Sequence, residues 1–151
     1  GVDRLAVTPE LGPVVMAAAV ADFRPADRHG SKIKKSAEHA ARTLELTENA
    51  DILAELGRRR NRAAHPVIVG FAAETGDASH TVAESGRAKL ARKGCDVLVV
   101  NDVSGGAVFG RADNAATILS DDGTEQAVPR GPKALLAAAV CDVVAHRLTS
   151  A

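Results

Sequence analysis

The chain has 151 residues, 46% of them hydrophobic, with 19 basic and 19 acidic side chains and a formal net charge of zero at pH 7. This length suits one globular domain, and a charged fraction of 25% argues against a disordered tail or a membrane protein. Zero net charge removes any global attraction to nucleic acid or to an anionic membrane.

The sequence carries no targeting signal that we recognise. No apolar run approaches the ~20 residues of a membrane-spanning helix, and the first residues lack the layout of a signal peptide. We therefore expect a cytoplasmic protein without a nucleic-acid or membrane partner. Cys95 and Cys141 cannot form a disulfide framework, so we interpret both as reduced structural thiols.

Three continuous apolar runs predict strands that are buried on both faces. They are Val14–Val20, Val67–Phe71 and Val97–Val100, and each is rich in β-branched residues. Strands of this kind, without alternation of polar and apolar residues, are typical of parallel sheets covered by helices.

Three segments with helical spacing lie between and after these strands. Ala50–Arg62 has Asn49 or Asp51 as a candidate cap, and three arginines near its end suit the helix dipole. Ser79–Lys93 is followed by glycine, the usual residue just past a helix. Pro132–Leu148 starts with proline in its first turn and repeats apolar residues at helical spacing.

A β-hairpin is predicted ahead of the last helix, because residues 115–119 and 125–128 flank the turn sequence Asp121-Asp122-Gly123. The alternation of strands and helices before it predicts an α/β fold. We expect a Rossmann-like, mostly parallel sheet flanked by helices, with the antiparallel hairpin near the C-terminal end.

Ligands of such sheets bind beyond the carboxyl ends of the strands. This rule selects three candidate segments, which are residues 22–25, 71–76 and 101–104. Ordinary turns also occur at these places, so the pattern alone does not distinguish a site from a connection.

Charged and aromatic side chains supply candidate ligand-binding groups. Lys32, Lys34 and Lys35 are clustered, and Lys89 and Lys93 share one helix face at i, i+4 spacing. Ammonium groups beside a strand end suit a polyphosphate, although solvated charges are the alternative.

Two further residues are candidate ligand contacts, and several familiar binding motifs are missing from the sequence. Asp22 suits a ribose or a metal ion, with a helix cap or a turn carboxylate as the alternative. Phe71 suits base stacking, with core packing as the alternative. The glycine motifs of a P-loop and of a dinucleotide-binding fold are both missing, and the histidines show no spacing typical of zinc.

Four blocks in order resemble phosphopantothenoylcysteine synthetase, the ligase of coenzyme A biosynthesis. In bacteria this is usually the C-terminal half of a bifunctional flavoprotein that also contains a decarboxylase. The blocks are Ala18–Pro25 (AAVADFRP), Lys32–Lys35 (KIKK), Gly70–Thr75 (GFAAET) and Lys89–Asp102 (KLARKGCDVLVVND).

The resemblance implies a two-step reaction. The carboxylate of 4′-phosphopantothenate attacks the α-phosphate of CTP and forms an acyl-cytidylate and pyrophosphate. The amine of L-cysteine then displaces CMP, which yields 4′-phosphopantothenoylcysteine. Mg²⁺ accompanies the triphosphate, and the family works as a homodimer whose partner subunit contributes to the site.

Site residues follow by position from the same resemblance. Lys32, on a loop that closes over the intermediate, is the expected catalytic lysine, and no metal ligand is assigned. The residues expected to contact the nucleotide are Met16, Ala17, Ala18, Asp22, Lys32, Ala50, Asp51, Ile52, Leu53, Phe71, Lys89 and Lys93.

The sequence departs from the family at two places. Ala50 stands where many relatives have proline, and the family's opening half has no counterpart before Val14. We therefore expect residues 1–151 to form a single CTP-binding ligase domain that lacks its N-terminal part and does not complete the catalytic cycle alone. The flavin-binding half is likewise absent, so FMN is not expected in this chain.

Two alternatives to a ligase remain open from the sequence. One is a non-catalytic nucleotide-binding or regulatory module derived from the ligase, and the other is a scaffold that supplies only an oligomer interface. The residues alone do not distinguish CTP from ATP as the preferred nucleotide.

Overall fold

The computed structural model describes residues 12–18, 20–27, 30–31, 43–61, 63, 65–74, 81–103 and 113–150. Contacts divide the chain into two units. The first comprises Gly1–Ala17 and Ile52–Ala151, and the second comprises Ala18–Asp51.

Seven strands and three helices are found among the described residues. In chain order they are β1 (Val14–Val15), β2 (Phe23–Pro25), β3 (Leu46–Glu48), α1 (Ile52–Arg60), β4 (Ile68–Glu74), α2 (Val82–Lys93), β5 (Val97–Asp102), β6 (Asp113–Ser120), β7 (Glu125–Pro132) and α3 (Lys133–Thr149).

The first unit contains a five-stranded mixed sheet with the order β1-β4-β5-β6-β7. β1, β4 and β5 are parallel, whereas β6 is antiparallel to both of its neighbours. The predicted α/β fold, with helices along the sheet and a hairpin ahead of the last helix, is confirmed.

Two apolar clusters pack on opposite faces of this sheet. One lies on the side of α1 and α2, where Leu56 and Leu90 are buried with Ile68 and Leu98. The other lies on the side of α3, which inserts a stripe of three buried side chains, Leu136, Val140 and Val144. Aliphatic side chains thus fill both layers, in a chain with an aromatic content of only 2%.

Glycine permits a close approach of α1 to the end of α2. A Cβ atom on Gly57 would meet the backbone oxygen of Lys93 and lie 2.8 Å from the backbone oxygen of Gly94. Because backbone atoms cannot rotate away as a side chain can, the two helices pack this closely only with glycine at this position.

Both ends of α2 carry specific caps. Thr81 and Glu84 form a capping box at the first turn, in which the Glu84 N–H donates to Thr81 Oγ1 at 3.2 Å. Gly94 ends the helix in the left-handed conformation, with φ of 62°, as its position after the helical pattern predicted.

The loop before β5 binds the end of α1. Arg60 forms an ion pair with Asp96, whose carboxylate also accepts a hydrogen bond from the Ile68 N–H at 2.6 Å. Arg60 donates in addition to the Gly94 carbonyl at 3.0 Å. These contacts join α1, β4 and β5 at the amino edge of the parallel strands.

The second unit contains a short antiparallel ribbon of β2 and β3, in which Phe23 pairs with Glu48 and Pro25 with Leu46. Asn49 donates to the Ala21 carbonyl at 2.6 Å and accepts from Arg24 at 3.0 Å. Its side chain is therefore used within the ribbon, and because α1 begins at Ile52, the residue directly before the helix is Asp51, the other of our two cap candidates.

The first predicted strand is wrong in length and burial. Only Val14–Val15 is a strand, and Val15 is 46% exposed. In the described part of the sheet β1 pairs with β4 alone, so it lacks the second neighbour that buries a central strand.

Among the described residues, no helix has the length and apolar character needed to cross a membrane.

Candidate carboxyl-edge site

The carboxyl ends of β1, β4 and β5 lie along one edge of the first unit. β1 ends at Val15, whereas β4 and β5 continue together to the register pair of Glu74 and Asp102. We call this region the carboxyl edge. It collects most of the predicted nucleotide-binding residues that belong to this unit.

Met16 and Leu53 both lie near Gly70 in β4. The Met16 N–H donates to the Val69 carbonyl at 2.9 Å, which places Met16 beside Gly70. A Cβ atom added to Gly70 would lie 2.5 Å from Leu53 Cδ2. Gly70 therefore leaves the space in which the first turn of α1 packs on the sheet.

The side chains at the start of α1 face the core. Ile52 and Leu53 are partly buried against the cluster on the α1 and α2 side, as is Met16. If these residues contact a nucleotide, their backbone groups are the available parts. The N–H groups of a first helical turn carry partial positive charge and suit phosphate oxygens.

Phe71 lies on the opposite face of the sheet. It is partly buried and packs against the cluster on the α3 side. Core packing, one of our two interpretations, is thus observed for part of the ring, while the stacking role stays a prediction.

Lys89 reaches the carboxyl edge from α2. Its ammonium group forms an ion pair with Glu74 at the end of β4, and the Lys89 side chain is 30% exposed. Lys93 lies one turn later on the same helix, at the end that packs against Gly57. The two lysines therefore share a helix face, but they are one turn apart.

Two asparagines form a polar pair near the end of β5. Asn114 Nδ2 donates to Asn101 Oδ1 at 2.9 Å, and Asn114 Oδ1 accepts from the Ala115 N–H at 2.9 Å. The register of β6 and β7 is irregular between Asn114 and Ala116. Such irregularities turn side chains away from their regular faces.

Five predicted contact residues belong to the second unit, and the structure describes four of them. Ala18, Asp22, Ala50 and Asp51 are all exposed. The backbone carbonyl of Asp22 accepts a hydrogen bond from the Asn49 N–H at 2.8 Å, which ties the segment before β2 to the segment after β3. The catalytic candidate Lys32, together with Lys34 and Lys35, lies outside the described residues.

The cysteines differ in burial. Cys95 is buried beside Asp96, and desolvation raises the pKa of its thiol to about 11. Cys141 is exposed on α3. No cluster of three or more metal-ligating side chains occurs in the part of the chain that the structure describes.

A family model described as "DNA/pantothenate metabolism flavoprotein C-terminal domain" matches residues 5–148. The chain belongs to this family. The resemblance seen in the sequence blocks is thereby confirmed at the level of the family.

Individual relatives agree with this assignment. The chain is 49% identical to a Mycobacterium bovis protein named "Coenzyme A biosynthesis bifunctional protein CoaBC" over 139 residues, which cover 90% of this chain and 33% of that protein. It is 48% identical to the Mycolicibacterium smegmatis protein of the same name over 145 residues, or 94% of this chain and 35% of that protein. The chain thus spans about a third of the length of these relatives.

A solved structure gives the same result for the fold. A crystal structure of the C-terminal domain of "Coenzyme A biosynthesis bifunctional protein CoaBC" superposes with a TM-score of 0.68 at 27% identity. The similarity covers 94% of this chain and 57% of that domain. Membership of the flavoprotein C-terminal domain family therefore rests on sequence and fold together.

Sequence reasoning missed two contacts at the carboxyl edge of this family member. Glu74 lies within one of the four family-like blocks, but nothing in the sequence pairs it with Lys89, fifteen positions away. Asn114 lies just before the predicted hairpin, and its contact with Asn101 depends on the local irregularity of β6. The sequence could have marked Glu74 as an acidic residue at a strand end but could not have shown its partner, and the second contact had no signal.

Proposed function

We propose that this chain forms the nucleotide-binding part of a phosphopantothenate–cysteine ligase and acts in coenzyme A biosynthesis. The observation that carries the proposal is the family match over residues 5–148, together with relatives named for coenzyme A biosynthesis. The lysine and the helix start at the carboxyl edge supply chemistry that suits a nucleotide.

The proposed reaction has two steps. The carboxylate oxygen of 4′-phosphopantothenate attacks the α-phosphorus of CTP, which breaks the bond to pyrophosphate and forms an acyl-cytidylate. The amine of L-cysteine then attacks the acyl carbon, CMP leaves, and the amine proton is released. Holding the reactants in contact and neutralising their phosphates are the main contributions of a protein to such a transfer.

Residues on the carboxyl edge would hold the nucleotide in three ways. Backbone groups of Met16 and Ala17 follow β1, and those of Ile52 and Leu53 begin α1, where phosphate oxygens are favoured. Lys89 supplies a positive charge from α2 at the end of β4. Phe71 would contribute its ring to the cytidine.

The remaining residues are proposed from their positions in the family pattern. Ala18, Ala50 and Asp51 would offer backbone groups, and Asp22 a carboxylate for the ribose. Lys93 would add a second cation on the face of α2 that carries Lys89. We propose these roles by resemblance to the family.

Lys32 would be the catalytic lysine, neutralising charge on the reacting phosphate. Mg²⁺ would enter as the magnesium complex of CTP, because Mg²⁺ binds largely through substrate phosphates and retained waters. A homodimer would complete the site, and the chain itself would bind no FMN.

The decisive experiment uses the full-length gene product that contains this chain. We expect pyrophosphate and CMP to appear in equal amounts when CTP, Mg²⁺, 4′-phosphopantothenate and L-cysteine are all present. Omission of cysteine should stop CMP release while a first turnover of pyrophosphate remains. No consumption of CTP with the complete set of substrates would overturn the proposal.

The role of Lys32 has its own test. Lys32→Ala should lower turnover by orders of magnitude while thermal unfolding is unchanged, and Lys34→Ala on the same segment is the matched control. Wild-type turnover of Lys32→Ala would remove Lys32 from the mechanism. Calorimetry with MgCTP separates catalysis from binding, since binding without any turnover would identify a non-catalytic nucleotide-binding module instead.

A further inference from the structure

One charge pair at the carboxyl edge joins a strand residue to a predicted nucleotide contact. The side chains of Glu74 and Lys89 are 17% and 30% exposed, and Glu74 Oε1 is shielded from water. A carboxylate oxygen that is shielded from water raises the free energy of the folded protein unless a positive charge compensates it. The ammonium group of Lys89 is therefore favoured at this position.

The two partners differ in how firmly the backbone holds them. Glu74 ends a strand whose register with β5 extends to Asp102, and its carbonyl accepts a hydrogen bond from the Val103 N–H at 2.9 Å. Lys89 projects from α2 on a flexible four-carbon stem with substantial rotamer entropy. The strand residue is therefore the fixed partner, and the lysine is the partner that becomes ordered.

We propose that Glu74 is a positioning residue that holds the Lys89 ammonium group at the carboxyl edge, ready to contact the phosphates of the nucleotide. This inference rests on the proposed function. The ammonium group has three N–H donors, so contact with one carboxylate leaves donors for phosphate oxygens. The paired charges also cancel, so Glu74 presents no uncompensated negative charge to the incoming triphosphate.

A second ion pair on α2 provides a matched control. Arg87 donates to Glu125 at 2.7 Å, and these side chains are 42% and 43% exposed. This pair also joins α2 to a strand, but its strand is β7, at the far side of the sheet from β1. Loss of the control pair removes an ion pair from the same helix without touching the candidate site.

The test is a double-mutant cycle in the full-length protein. Glu74→Gln and Lys89→Met are made singly and together, Glu125→Gln is the control, and KM for MgCTP and kcat are measured. We expect each single variant of the cycle to raise KM about tenfold, with a smaller change in kcat. The double variant should be no worse than Lys89→Met alone, because Glu74 acts through Lys89.

A structural role would give a different pattern. If Glu74 served only stability, Glu74→Gln would lower the melting temperature and leave KM unchanged, as we expect for Glu125→Gln. That result, or additive effects on KM in the double variant, would overturn the proposal. Glu74→Asp keeps the charge on a shorter side chain, and we expect it to restore part of the affinity lost in Glu74→Gln.

Direct binding separates failure of this proposal from failure of the ligase assignment. The dissociation constant of MgCTP is measured by calorimetry on the same variants. These values give the double-mutant cycle for binding alone, without turnover. Coupling in binding without ligation would support the role of Glu74 and overturn the ligase function. Absence of MgCTP binding by the wild-type protein would overturn both.

Discussion

Arg60 at the end of α1 and Asp96 before β5 form an ion pair in which the two side chains are only 9% and 10% exposed. Asp96 also accepts a hydrogen bond from the Ile68 N–H, so its carboxylate contacts both the end of α1 and the start of β4. Removal of one member of such a pair leaves the other charge buried without compensation.

We therefore expect Arg60→Ala to lower the free energy of unfolding by about 3–5 kcal/mol, measured by urea denaturation. The control is Arg87→Ala, whose exposed pair with Glu125 should contribute less than about 1 kcal/mol. Equal effects of the two variants would contradict a specific structural role for Arg60. The double variant Arg60→Met, Asp96→Leu should recover only part of the lost stability, because neither charge remains buried but the Ile68 N–H loses its acceptor.

Gly57→Ala should destabilise the protein although alanine favours helices. Helix propensity gains about 1 kcal/mol from the change, but the new methyl group would meet backbone oxygens at the end of α2. We expect a net loss of about 1–3 kcal/mol, in the range of overpacked cores, by denaturant titration.

Gly86→Ala is the informative comparison for Gly57→Ala. Its Cβ atom would lie 2.8 Å from side-chain methyl groups of Leu119 and Val100, which can shift more readily than backbone. A smaller loss than for Gly57→Ala is expected, and the reverse order would show that the close approach of α1 and α2 is not the limiting contact.

The buried thiol predicts how stability falls in alkaline solution. Burial raises the pKa of Cys95 from its ordinary value of 9.0 to about 11. Between these values the unfolded chain loses the thiol proton while the folded chain retains it, so the contribution to stability is present below pH 9 and is lost as pH rises towards 11.

Cys95→Ala isolates this effect. We expect urea denaturation at about pH 8 and about pH 10.5 to show a smaller alkaline loss of stability in the variant than in the wild type. Cys141→Ala is the control, because Cys141 is exposed. An identical pH dependence in the wild type and Cys95→Ala would contradict burial of the thiol.

The cap of α2 gives a fourth prediction. Thr81→Ala removes the hydroxyl that accepts from the Glu84 N–H and should cost about 1 kcal/mol, measured by thermal unfolding. Thr81→Ser retains the hydroxyl and should remain close to the wild type. Equal losses in both variants would assign the effect to the methyl group of threonine rather than to the cap.

The sequence was most informative where one periodicity dominated. The apolar run that became β5 and the helical spacing of α3 were predicted to within two residues at each end. In both elements the side chains that become buried form the pattern that the sequence shows. The short strands β2 and β3 had no comparable signal, because they are three residues long and are held by contacts of Arg24 and Asn49.

The three arginines near the end of α1 show a second reason for incomplete prediction. From the sequence, all three share one role at the helix terminus. In the structure Arg58 and Arg59 contact Glu55 and hold the pKa of its carboxyl below the usual range, with Arg58 making the larger contribution. Arg60 alone turns to Asp96, because helix phase and tertiary packing direct each side chain separately.

The candidate site shows the same difference between what local sequence predicts and what tertiary packing decides. Resemblance to the family supplied residues by position, and the structure places the Lys89 ammonium group beside Glu74 at the end of β4. The partner that holds it, Glu74, depends on how α2 crosses β4, which no local pattern encodes. Long-range side-chain contacts of this kind require the folded chain.

The outer strand β7 has a consequence for self-association. It contains Pro129 and Pro132, and in the described sheet it pairs only with β6. Proline has no N–H to offer, and Arg130 adds a charge between the two. Two of the eight residues of β7 therefore offer no N–H to a further strand, which disfavours growth into intermolecular β-aggregates through this edge.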